Sequence, residues 1–151
     1  MRNITHIVVH TCGSASKGKA LHQTVDQVRA YHMSKGWTTL GYHRYVERDG
    51  AVREGRPDMT TGAHAAGFNA TTLGICCSGH GDVEPFNSAQ MAGLLHQIVL
   101  WCRKYNLTAD NVLGHRETDD HGGPQVYKTC PGLMVDMALI RALVANKLEA
   151  A

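Results

Sequence analysis

Residues Ile4-Thr5-His6-Ile7-Val8-Val9-His10-Thr11 form a largely apolar segment that runs directly into a histidine. The run Ile7-Val8-Val9 is β-branched throughout, and such side chains pack well on the pleated surface of a sheet. We therefore predict a buried strand over residues 4–10 that ends at His10. A histidine at the end of a strand lies where side chains reach a cleft.

Local signals for caps and turns place the other elements. Thr24 and Gln27, three residues later, form a capping box, which predicts the start of a helix that ends near Gly36. Asp49-Gly50 predicts a hairpin turn, because both residues tolerate positive φ. The remaining predictions are strands over residues 42–47, 51–54, 73–77 and 112–113, and helices over residues 88–105 and 133–148.

The order of these elements indicates the fold class. Strands and helices alternate irregularly, and one hairpin is clearly antiparallel. This pattern predicts an α/β fold with a mixed central β-sheet of about five strands, covered by about three main helices. A length of 151 residues fits one domain over residues 1–151, and a hydrophobic fraction of 43% is enough for one sizeable core.

Composition argues against several classes of function. The chain has 15 Lys and Arg against 13 Asp and Glu, and no basic cluster, so nucleic-acid binding is not expected. Its five cysteines are an odd number without regular spacing, which favours reduced thiols in a cytosolic chain over a disulfide framework. Neither a signal peptide nor a transmembrane helix is predicted, so membrane insertion is not expected.

Three potential metal ligands lie at the ends of predicted elements. His10 ends the first strand, His115 follows a short strand, and Cys130 precedes a proline in a turn. Two imidazoles and one thiolate would leave the fourth position of a zinc ion for water, which is the arrangement of a catalytic site. Spacing alone does not decide this, because no CxxC or HExxH motif is present and ordinary core residues are the alternative.

Eight segments in a fixed order carry a resemblance that spans nearly the whole chain. They are Ile7-Val8-Val9-His10-Thr11, Lys35-Gly36-Trp37, Gly41-Tyr42-His43, Glu47-Arg48-Asp49-Gly50, Gly62-Ala63-His64-Ala65-Ala66-Gly67-Phe68-Asn69, Leu73-Gly74-Ile75, Gly114-His115-Arg116-Glu117 and Lys128-Thr129-Cys130-Pro131-Gly132. Together they resemble the type-2 N-acetylmuramoyl-L-alanine amidases, which include small phage lysozymes with amidase activity and peptidoglycan recognition proteins. The resemblance implies an amidase/peptidoglycan-recognition-like fold.

The resemblance also implies roles for five residues. His10, His115 and Cys130 correspond to the family's ligands for one Zn²⁺ ion, and Tyr42 and Lys128 to its catalytic residues. Amide hydrolysis passes through an oxyanion, which a Lys128 ammonium could stabilise, while the Tyr42 hydroxyl could orient the water or donate a hydrogen bond. An ordinary strand aromatic is the alternative for Tyr42, and the group that protonates the leaving amine stays open.

Each of the other residues expected near the predicted metal centre has more than one possible role. His64 and Asn69 resemble a family segment that lines the substrate groove, although a turn packed under the sheet is the alternative. Glu117 is either a partner of a ligand histidine or a solvated carboxylate. The loop over residues 118–124 looks longer than in compact phage relatives and is expected to form part of the groove wall. His121 within it is a rival metal ligand.

The resemblance implies zinc-dependent hydrolysis of the amide bond between N-acetylmuramic acid and L-alanine in peptidoglycan, in the role of a phage endolysin. We expect a monomer, synthesised in the cytoplasm of a host cell, that acts on peptidoglycan or muropeptides of the periplasmic wall after release. The first alternative is a recognition module that binds without cutting, and Cys130 argues against it because inactive relatives typically lack this ligand. An intracellular recycling amidase and a regulator of a viral RNA polymerase are further alternatives. The short segment before the first strand leaves little of the extension expected for that regulatory role.

Overall fold

A computed structural model describes residues 1–121 and 129–150 of the chain. Its elements are, in chain order, β1 (His6–Thr11), β2 (Ala15–Ser16), β3 (Lys19–Ala20), α1 (Val25–Ser34), β4 (Arg44–Val46), β5 (Val52–Glu54), β6 (Thr72–Cys77), α2 (Ser88–Tyr105), β7 (Val112–Gly114) and α3 (Met137–Glu149). Short 3₁₀ turns precede β6 and β7, and a longer one, His115–His121, follows β7. The predicted first strand is confirmed, although it ends at Thr11, one residue beyond His10.

Five of the strands form one mixed sheet, in the order β5-β4-β6-β1-β7. β1 pairs in parallel with β6 and β7, and β4 in parallel with β6, whereas β5 is antiparallel to β4. The predicted hairpin is confirmed with shorter strands, and Gly50 in its turn has a φ of +87°. β2 and β3 form a separate small hairpin that the sequence pattern did not predict.

Helices cover both faces of the sheet, which confirms the predicted architecture. A large core joins the sheet to α2 and α3, and a smaller one joins it to α1. Cys77 packs in the large core and its neighbour Cys76 in the small one, because successive strand side chains point to opposite faces. Burying an aliphatic side chain stabilises the fold by about 1.5–3 kcal/mol, so these two cores hold the strand ends in place.

Two helix starts show how caps set the boundaries. The Thr24–Gln27 capping box at α1 is confirmed, since each side chain bonds the backbone of the other. The prediction that the last helix starts at residue 133 is wrong, because α3 begins at Met137. Asp136 caps it by accepting from the N–H of Leu139 at 3.1 Å. The residues just before α3 form a turn instead, and the carbonyls of Gly132 and Val135 in this segment accept hydrogen bonds from Arg116.

All five cysteines lie within the described residues, where none forms a disulfide and three are buried. Within residues 1–121 and 129–150, no helix is both long enough and apolar enough to cross a membrane.

Candidate metal centre and its cavity

Strand register brings the two predicted histidine ligands together. Val9 of β1 is paired with Gly114 of β7, so the residues that follow, His10 and His115, lie side by side at the ends of parallel strands. Their ring centroids are 4.4 Å apart. The His10 side chain belongs to the face of the sheet that α1 covers, and this residue is 2% exposed. A long-range pairing thus creates a two-histidine site that neither segment contains alone.

Cys130 completes the cluster from a distant turn. Its Sγ lies 3.9 Å from Nδ1 of His10 and accepts from the backbone N–H of Thr11 at 3.4 Å. The candidate ligand atoms of His10, His115 and Cys130 all lie within 4.8 Å of one another, and no other such group is found among the described residues. A tetrahedral zinc ion separates its nitrogen and sulfur ligands by roughly 3.6 Å, so this spacing fits zinc.

Arg116 holds the turn that carries Cys130. Its backbone N–H donates to the Cys130 carbonyl at 2.7 Å. The guanidinium donates to three further carbonyls of the same segment, those of Thr129, Gly132 and Val135, at 3.1, 2.7 and 2.7 Å. Because Arg116 directly follows His115 in the sequence, its hydrogen bonds link the position of His115 to that of Cys130. No role is predicted for Arg116 from the sequence, and its position next to a predicted ligand is the only local signal for one.

Replacing Arg116 with alanine is expected to weaken zinc binding by roughly 10–100-fold, the usual cost of losing a group that orients a ligand. Arg116→Lys should not restore binding, because one ammonium cannot bond three carbonyls in the planar arrangement of a guanidinium. Competition with a chromophoric chelator measures this affinity. Arg53→Ala removes an exposed cation from β5 and serves as the control. An Arg116→Ala variant with wild-type zinc affinity would show that the turn carrying Cys130 keeps its conformation without Arg116.

Glu117 is half-buried and hydrogen-bonded, so the solvated carboxylate, one of its two predicted alternatives, is wrong. Its carboxylate accepts from the N–H of Gly114 at 2.7 Å and from the Arg141 guanidinium at 2.8 and 3.0 Å. Burial alone would raise the pKa of Glu117, but the hydrogen bonds from Arg141 and Gly114 outweigh burial and lower it. Glu117 therefore links the end of β7 to α3 and supports the position of His115.

The cluster lies in the wall of a cavity of about 400 Å³. Tyr42, His64 and Asn69 line the same cavity, so the structure brings these predicted site residues together with the candidate ligands. Lys128 lies outside the described residues, as do part of the 118–124 loop and the side chain of His121. A larger cavity of about 760 Å³ between α1 and the β4–β5 hairpin contains none of the candidate ligands.

Tyr42 is close to the candidate ligands. Its ring centroid is 5.0 Å from that of His10. Burial raises the pKa of Tyr42 well above its ordinary value, so the phenol keeps its proton at neutral pH. The side chain is therefore a hydrogen-bond donor in the cavity wall, and its catalytic role stays a prediction.

The other two predicted groove residues form hydrogen bonds inside the protein. Asn69 Oδ1 accepts from the backbone N–H groups of His64 and Ala65 at 2.9 and 2.8 Å, which shapes the loop between them. The His64 ring contacts Nε2 of His10 at 2.9 Å and Oγ1 of Thr72 at 3.3 Å. Burial lowers the pKa of His64 well below its ordinary value, so the ring is neutral at pH 7. Contact of either residue with a substrate stays a prediction.

Three residues near the end of α1 line the cavity but were not predicted as site residues. They are His32, Lys35 and Trp37. Lys35 Nζ lies 4.4 Å from the centroid of the Trp37 ring, and His32 Nδ1 accepts from the N–H of Gly41 at 2.9 Å. The segment Lys35-Gly36-Trp37 was one of the eight that carry the family resemblance, and this was the sequence signal that could have identified Lys35 and Trp37. These side chains give the cavity an aromatic wall with a cation beside it.

Comparison with known proteins points to one family. A family profile described as N-acetylmuramoyl-L-alanine amidase matches residues 1–133. The endolysin of Escherichia phage T7 is 37% identical over 86 residues, which cover 54% of this chain and 57% of that protein. Peptidoglycan-recognition protein SC2 of Drosophila melanogaster is 35% identical over 132 residues, which cover 83% of this chain and 66% of that protein. The chain thus spans little more than half of the length of the phage relative.

Solved structures share the fold. N-acetylmuramoyl-L-alanine amidase LysC from Clostridium intestinale URNW superposes with a TM-score of 0.79 at 28% identity, over 93% of this chain and 85% of that one. Drosophila PGRP-LB superposes with a TM-score of 0.70 at 21% identity, over 87% of this chain and 76% of that one. The second likeness concerns the fold alone.

Proposed function

The chain belongs to the N-acetylmuramoyl-L-alanine amidase family, and on this basis we propose that it is a zinc-dependent amidase that acts on bacterial peptidoglycan. The bond cut is the amide between N-acetylmuramic acid and L-alanine, and the biological role is that of a phage endolysin. The observation that carries the proposal is the cluster of His10, His115 and Cys130 in the wall of a cavity.

The donor set fits one zinc ion. Two imidazoles and a thiolate are ligands that zinc favours, and three protein ligands leave a position for water. The N–H of Thr11 that points at Cys130 Sγ stabilises the thiolate form, because hydrogen bonds to an ionised acceptor are the stronger ones. When bound, zinc supplies a Lewis acid for the amide carbonyl and lowers the pKa of a bound water toward neutrality.

The protein's own residues contribute to binding and to charge stabilisation. Tyr42, protonated at neutral pH, donates a hydrogen bond to the reacting carbonyl or orients the water. The Lys128 ammonium stabilises the oxyanion that develops on the amide oxygen. The cavity wall at Lys35 and Trp37 offers a cation and an aromatic face to the stem peptide, whose carboxylates complement the cation. His64 and Asn69 also line the cavity, where the small side chains of Ala63, Ala65 and Ala66 let a substrate approach the backbone.

A recognition module that binds peptidoglycan without cutting it is the second candidate. Similarity to peptidoglycan-recognition proteins over 83% of the chain favours this role. The complete ligand set favours catalysis, because binding alone requires no thiolate aimed at two histidines. Both candidates share the substrate, so the release of products separates them.

Purified protein is expected to release soluble fragments from peptidoglycan with new L-alanine amino termini and without new reducing sugars. A chelator should stop this release, and added zinc should restore it, because the metal is required for the chemistry. Amino-terminal labelling and a reducing-sugar assay measure the two products. Protein that co-sediments with peptidoglycan but releases nothing in the presence of zinc would establish the recognition role instead.

A further inference from the structure

A series of hydrogen bonds leads from His10 through His64, which also lines the cavity, into the protein. Nε2 of His10 lies 2.9 Å from Nδ1 of His64. Nε2 of His64 lies 3.3 Å from Oγ1 of Thr72, and this hydroxyl donates to the carbonyl of Phe68 at 2.8 Å. The chain of contacts therefore links a candidate metal ligand to a backbone carbonyl through two side chains.

The last hydrogen bond, from Thr72 to Phe68, determines which group donates and which accepts in each of the others. The single hydroxyl proton of Thr72 is donated to Phe68, so its oxygen can only accept from Nε2–H of His64. A neutral imidazole carries one N–H, and Nδ1 of His64 must then accept from Nε2–H of His10. His10 consequently presents its lone pair at Nδ1, the atom that lies 3.9 Å from Cys130 Sγ.

The surrounding backbone holds the His64 ring in this orientation. A Cβ at position 74 would lie 2.6–2.8 Å from three atoms of the ring, so the glycine there allows β6 to pack directly against it. A Cβ at position 62 would lie 2.8 Å from Cδ2 of the same ring. Asn69 fixes the backbone of His64 through its side-chain oxygen. The residue is 9% exposed, so rotation of the ring would require its neighbours to move.

We propose that His64 is a positioning residue that fixes His10 in the tautomer with its proton on Nε2 and thereby directs Nδ1 toward the metal. Ligand histidines usually donate their second N–H to a partner that sets the tautomer and the ring angle, and here that partner is another histidine. This inference deepens the proposed zinc site and rests on it. Both nitrogens of the His64 ring are engaged within the protein, one by His10 and the other by Thr72.

Replacing His64 with leucine is expected to lower zinc affinity by about 10–100-fold, because the acceptor for His10 is lost. His64→Asn should stay close to wild type, since an asparagine Oδ1 occupies nearly the place of a histidine Nδ1. Chelator competition measures the affinity. Ring-nitrogen NMR shifts of His10 in the metal-free protein report its tautomer, with the proton on Nε2 in wild type and a mixture in His64→Leu. Urea unfolding of each metal-free variant separates a change in stability from a change in tautomer.

The matched control is His96→Leu, which removes an exposed histidine from α2 and should change neither readout. Should His64→Leu fail to fold, Thr72→Val removes the hydroxyl that accepts from His64 and should shift the His10 tautomer in the same direction. Unchanged tautomer and affinity in the folded variant would overturn the inference while leaving the zinc site intact. Wild-type protein that binds no zinc would overturn the proposed function as well.

Discussion

Replacing Cys130 with alanine is expected to lower zinc affinity by more than about 100-fold, and amidase activity should be lost with it. Loss of a group that merely orients a ligand costs roughly 10–100-fold, so loss of the ligand itself should exceed this. The two imidazoles of His10 and His115 then remain without the thiolate that lies within 4.8 Å of both. Elemental analysis measures zinc content, and release of L-alanine amino termini from peptidoglycan measures activity.

Two matched variants make this result specific. Cys102→Ala removes a cysteine that is 1% exposed in the large core, and it should keep zinc and activity although it destabilises the fold. Lys128→Ala should keep zinc but slow turnover by roughly 10²–10³-fold, the usual effect of losing an oxyanion donor. Full zinc content in Cys130→Ala would contradict the ligand assignment. An unchanged rate in Lys128→Ala would contradict its oxyanion role.

The free energy of unfolding of the metal-free protein is expected to fall by about 3 kcal/mol between pH 7 and pH 4 because of His43 alone. This residue is 0% exposed. Its Nδ1 accepts from the N–H of Gly74 at 3.0 Å, and its Nε2 contacts the Thr60 carbonyl at 2.8 Å. Burial lowers the pKa of His43 to about 4, because a charged ring would lose its hydration.

The sign of the effect follows from proton binding. An unfolded histidine titrates near 6.5, so between about pH 6.5 and pH 4 the unfolded chain binds more protons than the folded one. Stability is therefore complete above this window and is lost progressively as the solution is acidified through it. At about 1.4 kcal/mol per pKa unit, the difference between 6.5 and about 4 amounts to about 3 kcal/mol.

Urea unfolding at several pH values compares wild type with His43→Asn. An asparagine oxygen can accept from the N–H of Gly74 but does not titrate, so the variant should lose less stability on acidification than wild type. His64 is also buried and neutral, so the difference between the two proteins, rather than the wild-type slope, reports on His43. His96→Asn, at an exposed site on α2, should keep the wild-type slope. Equal slopes in wild type and His43→Asn would contradict the prediction.

Most of the fold could be predicted because its signals are local. α2 occupies the predicted residues 88–105, where Asn87 caps the first turn and an apolar face meets the core. The start of α3 could not be predicted from its apolar pattern. Leu133 and Met134 continue that pattern but are 74% and 50% exposed in a turn, and the carbonyls of Gly132 and Val135 on either side of them accept from Arg116.

Some residues of the candidate site could be predicted from the sequence, and the roles of others could not. The three candidate ligands lie at strand ends or in a turn, but the resemblance to the family rather than their spacing identified them, and they do lie together. Glu117 could not be assigned, because its partner Arg141 is 24 positions away on α3. His64, which was predicted to line a substrate groove, lies in the cavity that contains the candidate ligands, but its hydrogen bonds point toward His10 and Thr72 within the protein.

The sequence by itself determined the strands of the main sheet, the capping box of α1 and the chemical types of the candidate ligands, because each is a property of a side chain or of a short local pattern. Only the tertiary structure decided which groups orient those ligands. His64 meets His10 across 54 positions, and Arg116 meets Val135 across 19. Contacts over such separations depend on strand register and on loops packing against glycines, and no local pattern encodes either.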